Sequence, residues 1–112
     1  MDDGVLTTRP VRFEGSGADD VALCAALVAA EEIDLLGVVE SPAEEVRQAF
    51  SQPWTDRGST VLVLRDGEPR SLLWVTRDDL ARQTFFTVHT SPGPGEAEVH
   101  ARAVELGVAA AR

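Results

Sequence analysis

The spacing of apolar residues along this chain alternates between that of strands and that of helices, and the chain begins with a strand followed by a helix. The range Val5 to Phe13 carries β-branched residues and predicts a strand that breaks near Pro10. Asp19 and Asp20 then begin a helix, because acidic side chains suit the positive end of a helix dipole. Apolar residues at helical spacing continue this helix to about Ile33, with a stripe of Leu23, Leu27 and Ala30 flanked by Cys24 and Val28.

A second helix is predicted after a short apolar link. The start Ser41-Pro42-Ala43-Glu44 offers a serine cap, a proline suited to the first helical position, and a glutamate that completes a capping box. Val46 and Phe50 are four residues apart and therefore face the same side. Pro53 ends this helix.

Three strands and a last helix follow. Thr60 to Arg65 is a nearly continuous apolar strand, Asp66-Gly67 is a two-residue hairpin turn, and Arg70 to Thr76 is the return strand. Another strand begins at Thr84. The final helix has one apolar face, made of Val99, Ala103, Leu106 and Ala110.

The predicted order is therefore β-α-α-β-β-β-α. This order predicts an α/β (α+β) fold in which helices pack on the faces of a mixed, mainly antiparallel sheet. The length of 112 residues suits one domain over residues 1–112.

Charge and composition narrow the function classes. The net charge of −9 argues against nucleic acid and against anionic membranes as partners, and permits a cationic or amine-bearing partner. All basic side chains are arginine, and lysine, asparagine and tyrosine are absent, which indicates a GC-rich bacterial genome.

Cysteine, histidine and the N-terminus limit the chemistry further. The single Cys24 excludes a disulfide framework and a cysteine metal site, and His89 and His100 are too few for a convincing zinc site. No metal is expected. The start Met1 to Gly4 lacks a signal-peptide core and no apolar run could span a bilayer, so we expect a cytoplasmic protein.

The last third of the chain joins a strand, a glycine-rich turn and a helix. Thr84 to His89 is followed by Thr90-Ser91-Pro92-Gly93-Pro94-Gly95 and by a helical run to Arg112. Backbone N–H groups at such a helix start can bind phosphate, although a Gly-Pro-Gly segment is also an ordinary turn. The residues alone leave both interpretations open.

The element order and the hairpin resemble the GNAT superfamily of acyl-CoA-dependent N-acetyltransferases. Ala22 to Phe50 is similar to the first two helices of the family, Val61 to Glu68 to its second and third strands, and Phe86 to His89 to its fourth strand. The resemblance covers the first four strands and three helices of the family fold. It implies that this fold is incomplete at the C-terminus, since the family continues with a fifth strand and a fourth helix that often carries a tyrosine acid.

The resemblance also implies a cofactor site for acetyl-CoA. In the family, backbone groups of the fourth strand hold the acyl arm, and the next loop binds pyrophosphate through the pattern Arg/Gln-x-x-Gly-x-Gly/Ala. The corresponding residues here are Thr87, Val88 and His89 for the acyl arm, and Gly93 and Gly95 for the pyrophosphate.

Other residues of the loop depart from the family pattern. Thr90 replaces the basic or amide residue, and Pro92 and Pro94 lack an N–H donor. Glu96 and Glu98 complement the helix dipole and would repel a pyrophosphate. Because each lost hydrogen bond to a charged group is worth roughly 1.5–3 kcal/mol, the loop is degenerate and should bind the cofactor weakly.

For the candidate substrate-binding and catalytic residues, the sequence allows both a functional and a structural interpretation. Glu31, Glu32 and Asp34 follow the first helix, where the family often shapes its acceptor site; they either bind a cationic amine or form a solvated acidic turn. His89 lies near the implied acyl site and is either a general base or a structural histidine.

Two functions follow from the resemblance. The first is transfer of an acetyl group from acetyl-CoA to the amine of a small molecule or protein, weak or absent unless missing elements or a partner complete the domain. The alternative is a non-catalytic GNAT-like structural or protein-interaction module. An uncovered edge on the fourth strand invites pairing, so we predict a homo-oligomer or a complementing chain segment.

Overall fold

The structure, a computed structural model, describes residues 4–13 and 20–112. It contains the seven elements in the predicted order. Their bounds are β1 Leu6–Pro10, α1 Asp20–Leu36, α2 Ala43–Phe50, β2 Val61–Arg65, β3 Glu68–Asp78, β4 Gln83–Thr90 and α3 Glu96–Ala110. Asp19, the other predicted start of α1, lies outside the described residues, and α1 extends one turn beyond the expected end at Ile33.

The four strands form one sheet in the order β1-β2-β3-β4, and every neighbouring pair is antiparallel. The expected mixed sheet is therefore wrong for the described residues, because two hairpins join β2, β3 and β4 and the two-helix connection returns antiparallel from β1 to β2. Within residues 4–13 and 20–112, β4 pairs only with β3, so its outer side is an open edge.

The hairpin between β2 and β3 confirms the Asp-Gly turn. Asp66 and Gly67 both have positive φ, 53° and 82°, as a two-residue turn with the right-handed twist of a hairpin requires. Farther along, the register shifts between Val63 and Leu64, and Arg70 is the unmatched residue of β3. Such a bulge re-aims a side chain, and it allows Arg70 to reach the connection between β4 and α3.

The sheet separates two apolar clusters. Helices α1 and α2 cover one face around the buried Cys24, Phe50 and Leu72, and α3 covers the other face around the buried Leu73 and Val99. Leu23, predicted to lie on the buried stripe, is 39% exposed. The stripe of α1 is centred on Val21, Cys24, Leu27 and Val28, which leaves Leu23 at its border.

The start of α2 differs from its prediction. Pro42 is the N-cap residue, and no side chain caps the helix. Ser41 instead donates its hydroxyl and its N–H to the carboxylate of Glu32 in α1, so the capping box with Glu44 is wrong. Val46 and Phe50 are buried, as predicted.

Helix α3 lies close against β4. Val99 and Ala103 are fully buried, as expected, and Leu106 and Ala110 pack at their side. A Cβ atom at position 107 would lie within 2.4 Å of the Phe86 ring, so only glycine permits this approach. No helix in the described ranges has the length and apolarity that crossing a bilayer requires.

Candidate functional site

The open edge of β4 presents backbone hydrogen-bonding groups at every second residue. The N–H of Thr90 donates to Oε2 of Glu31 at 2.9 Å, so Thr90 faces away from β3. Backbone direction alternates along an antiparallel ladder, and no register shift interrupts the pairing of β3 with β4. The residues that face outward are therefore Thr84, Phe86, Val88 and Thr90.

This alternation distinguishes the three residues implied for the acyl arm. Thr87 and His89 occupy ladder positions whose backbone groups face β3. Val88 directs its N–H and C=O to the open edge. Among the three, only Val88 has backbone groups placed to hold a ligand beside β4.

His89 is held by a carboxylate at the end of this edge. Its Nδ1 lies 2.9 Å from Oε1 of Glu31, and each of the two side chains is 23% exposed. A carboxylate only accepts hydrogen bonds, so Nδ1 donates, and in the neutral form of the ring Nε2 carries the lone pair. Glu31 is 58 positions away in sequence, which explains why spacing did not reveal the partner.

The three carboxylates predicted to form an acceptor site separate in the structure. Glu31 binds β4, and Glu32 binds the α1–α2 connection through the N–H of Glu40 at 3.0 Å and both donors of Ser41 at 2.9 and 2.8 Å. The backbone and then the hydroxyl hydrogen bond of Ser41 lower the pKa of Glu32. Asp34 is exposed and turned toward the end of β4. Glu32 is therefore structural, whereas Glu31 and Asp34 remain at the candidate site.

A depression of about 240 Å³ lies where α1, the end of β4 and the start of α3 meet. We call it the acidic depression, because Glu31, Asp34 and Glu96 line it. Thr90 forms part of its wall, with Oγ1 3.0 Å from Nδ1 of His100. Three carboxylates around so small a volume favour an ammonium or guanidinium group and disfavour an anion.

The glycine-rich loop after β4 is packed around Arg70. Its guanidinium donates to Oγ and O of Ser91 at 2.9 and 3.2 Å and to the carbonyl of Pro94 at 2.7 Å. The residue is only 8% exposed. Arg70 carries no motif in the sequence, and only the bulge in β3 places it here.

Both glycines of this loop are required by geometry. Gly93 and Gly95 have φ values of 135° and 76°. A Cβ at Gly93 would lie 3.2 Å from Nη2 of Arg70, and one at Gly95 would lie 2.5 Å from Nε of Arg65. The glycines thus fit the two arginines beneath the loop whether or not an anion binds above it.

The outer side of the loop has mixed character. Within the described residues, the N–H groups of Gly93 and Gly95 have no acceptor, and α3 has no side-chain cap. These donors suit an anion. Glu96 and Glu98 are exposed in the first turn of α3 and oppose one.

Cys24 lies away from this site. It is fully buried, and burial, followed by the nearby charge of Asp20, raises the pKa of its thiol to about 12. A thiol that stays protonated is a poor nucleophile. No group of three or more His, Cys, Asp or Glu side chains in the described ranges could hold a metal ion.

Comparison of the chain with protein-family models, with curated proteins and with solved structures finds no match.

Proposed function

We propose that this chain is a GNAT-like acyltransferase domain that acetylates an amine in the cytoplasm, using acetyl-CoA. The observation that supports it best is the His89–Glu31 pair, placed directly after Val88 at the open edge of β4. A carboxylate-oriented imidazole beside an outward N–H is the arrangement that attack of an amine on an acyl group needs.

Each residue would have a distinct role. Acetyl-CoA supplies an acyl group activated as a thioester. The outward N–H of Val88 would donate to the acyl oxygen, where negative charge develops. Nε2 of His89 would take the proton from the attacking amine as the new N–C bond forms, while Glu31 keeps the ring oriented. The C–S bond of the thioester would then break, and the proton held on Nε2 would pass to the leaving thiolate, which departs as the free thiol of CoA. Asp34 and Glu96 would attract the amine in its cationic form.

The start of α3 fits the phosphates only in part. The N–H groups of Gly93 and Gly95 would donate hydrogen bonds to a pyrophosphate, whereas Glu96 and Glu98 would raise the free energy of the bound state. We therefore expect the two glutamates to control affinity for the phosphate part of acetyl-CoA.

Titration calorimetry should show saturable binding of acetyl-CoA with a Kd below about 1 mM. The double variant Glu96→Gln/Glu98→Gln should tighten this binding about tenfold, because two like charges are removed from the phosphate position. Acetyl-pantetheine, which lacks the pyrophosphate, should bind the variant and the parent chain equally.

A matched control makes the same change elsewhere. Glu44→Gln/Glu45→Gln neutralises two exposed glutamates in the first turn of α2 and should leave the Kd unchanged. If both double variants bind acetyl-CoA more tightly by the same factor, the cause is the net charge of the protein and not the position of Glu96 and Glu98. A Kd for acetyl-CoA that exceeds the millimolar range in all three proteins contradicts the acyltransferase proposal for this chain.

A non-catalytic interaction module is the second candidate. It is favoured by the packing of Arg70, which already satisfies the loop carbonyls, and by the length of the uncovered β4 edge. In this alternative the open edge of β4 pairs with a strand of a partner. The chain is then expected not to bind acetyl-CoA.

A further inference from the structure

We propose that the open edge of β4 pairs with β4 of a second copy of this chain, antiparallel and around a two-fold axis, so that one sheet continues through both copies. Proteins usually protect a long edge with charged side chains, proline or a bulge. The sequence of β4, Gln-Thr-Phe-Phe-Thr-Val-His-Thr, has no acidic residue, lysine, arginine or proline, and its ladder has no bulge.

The outward residues determine the register of this pairing. Only outward-facing positions can exchange backbone hydrogen bonds with a new strand, and symmetry requires the pattern to be self-complementary. Centring on Phe86 pairs it with Phe86 of the second copy, and Thr84 with Val88 in both directions. A shift toward Thr90 would lose a donor, because Glu31 already binds that N–H.

The same register produces charge complementarity at both ends. Thr90 would lie opposite Arg82 of the second copy, which brings that guanidinium to the acidic depression beside Asp34 and Glu96. Arg82 is exposed and has no ion pair within the described ranges. By symmetry the contact forms twice, so an otherwise acidic chain gains two attractive contacts on self-association.

Exposed apolar side chains add to the interface. Phe85 is 52% exposed in the single chain. In this register it lies across from Thr87 of the second copy, at a pair without backbone hydrogen bonds, where side chains are closest. The interface therefore combines ladder bonds, aromatic burial and the Arg82 contacts.

In this dimer the backbone groups of Val88 pair with the second copy. An acyl arm could therefore bind at that edge only when the two copies are apart. The inference depends on the sheet edge and its charges, and it holds whether or not the chain transfers acyl groups. Its test needs no acetyl-CoA, so its failure is separate from failure of the acyltransferase proposal.

Sedimentation equilibrium of the full chain over a range of concentrations should show a species of twice the 12.0 kDa chain mass. Thr87→Lys should weaken this association at least tenfold, because it brings two lysines close to each other across the axis. Thr87 is exposed and its backbone faces β3, so the substitution leaves the internal ladder intact. Circular dichroism checks that the variant is folded.

A charge exchange tests the register itself. Arg82→Glu and Asp34→Arg should each weaken the dimer, and the double variant should restore most of the loss. Arg47→Glu makes the same charge change on α2, away from the edge, and should have no effect. A monomer at every concentration overturns the proposal. So does a dimer that is insensitive to Thr87→Lys, or a double variant no better than its single changes.

Discussion

Replacing His89 with asparagine should lower kcat/KM for the proposed acetyl transfer by about 10²- to 10⁴-fold, the range expected when a general base is removed. Asparagine keeps a polar side chain of similar reach, but it cannot take a proton from the attacking amine. The measurement is thiol release from acetyl-CoA by the full chain in the presence of a panel of primary amines.

Glu31→Gln separates the positioning role of the carboxylate from the proton transfer. The amide can still bond to Nδ1, but it no longer fixes the donating tautomer, so we expect a smaller loss that falls on kcat more than on KM. The activity that remains should also depend on pH differently from that of the parent chain. A loss confined to KM would contradict a positioning role for Glu31.

His100→Asn is the matched control for His89→Asn. His100 lies within hydrogen-bond distance of the Thr90 hydroxyl on the α3 side, whereas the hydrogen bond of Glu31 to an imidazole is made with His89. We expect at most a few-fold change in kcat/KM. Equal losses for the two histidines, or acetyl transfer that survives His89→Asn, would remove His89 from the mechanism.

Replacing Asp20 with asparagine should lower the free energy of unfolding by about 2–3 kcal/mol. The buried carboxylate accepts hydrogen bonds from both Nη atoms of Arg9 at 2.6 and 2.9 Å, and from the backbone N–H and Nε of Arg12 at 2.7 and 3.1 Å. These bonds fasten the start of α1 to the end of β1. The arginine side chains remain 30% and 60% exposed, so water recovers part of the loss.

The stability difference should depend on pH in a defined direction. The hydrogen bonds of Arg9, followed by those of Arg12, hold the pKa of Asp20 well below its usual value of 3.8. A lowered folded-state pKa stabilises the protein above the unfolded pKa, and that contribution is lost as pH falls toward the folded value. The gap between the parent chain and Asp20→Asn should therefore be constant near neutral pH and shrink below about pH 4.

Urea denaturation at several pH values measures this gap. Asp79→Asn, an exposed aspartate in the β3–β4 turn, is the control and should change stability by less than about 0.5 kcal/mol. An Asp20→Asn protein as stable as the parent chain at neutral pH would contradict the role assigned to these hydrogen bonds.

Local sequence patterns predicted which helices and strands form, but they predicted less well where these helices and strands begin and end. The Asp66-Gly67 turn and the buried Val46 and Phe50 depend on short-range geometry, which the sequence contains. The capping box failed because Glu32, from another helix, binds Ser41. Leu23 was misplaced because helical spacing gives a stripe but does not show which side of it meets the sheet.

For the candidate site, the sequence indicated individual residues but not the contacts between them. Glu31 and His89 were each recognised as chemical candidates, but their contact joins α1 to β4 across 58 positions. Arg70 had no signal at all, because its place under the loop depends on a register shift in β3. Long-range side-chain contacts follow from the packing of the sheet, which local patterns in the sequence do not reveal.

The buried Cys24 gives this fold a chemical reporter of its own opening. It is the single thiol of the chain, and it lies between α1 and the sheet with none of its surface exposed. A thiol reagent should modify it only in molecules whose α1 has separated from the sheet, so the labelling rate measures the population of that open state. If opening and closing are fast compared with labelling, Asp20→Asn should raise this rate by roughly 30- to 150-fold, the factor that corresponds to about 2–3 kcal/mol. A rate unchanged by that substitution would mean that α1 separates from the sheet without breaking the contacts of Asp20.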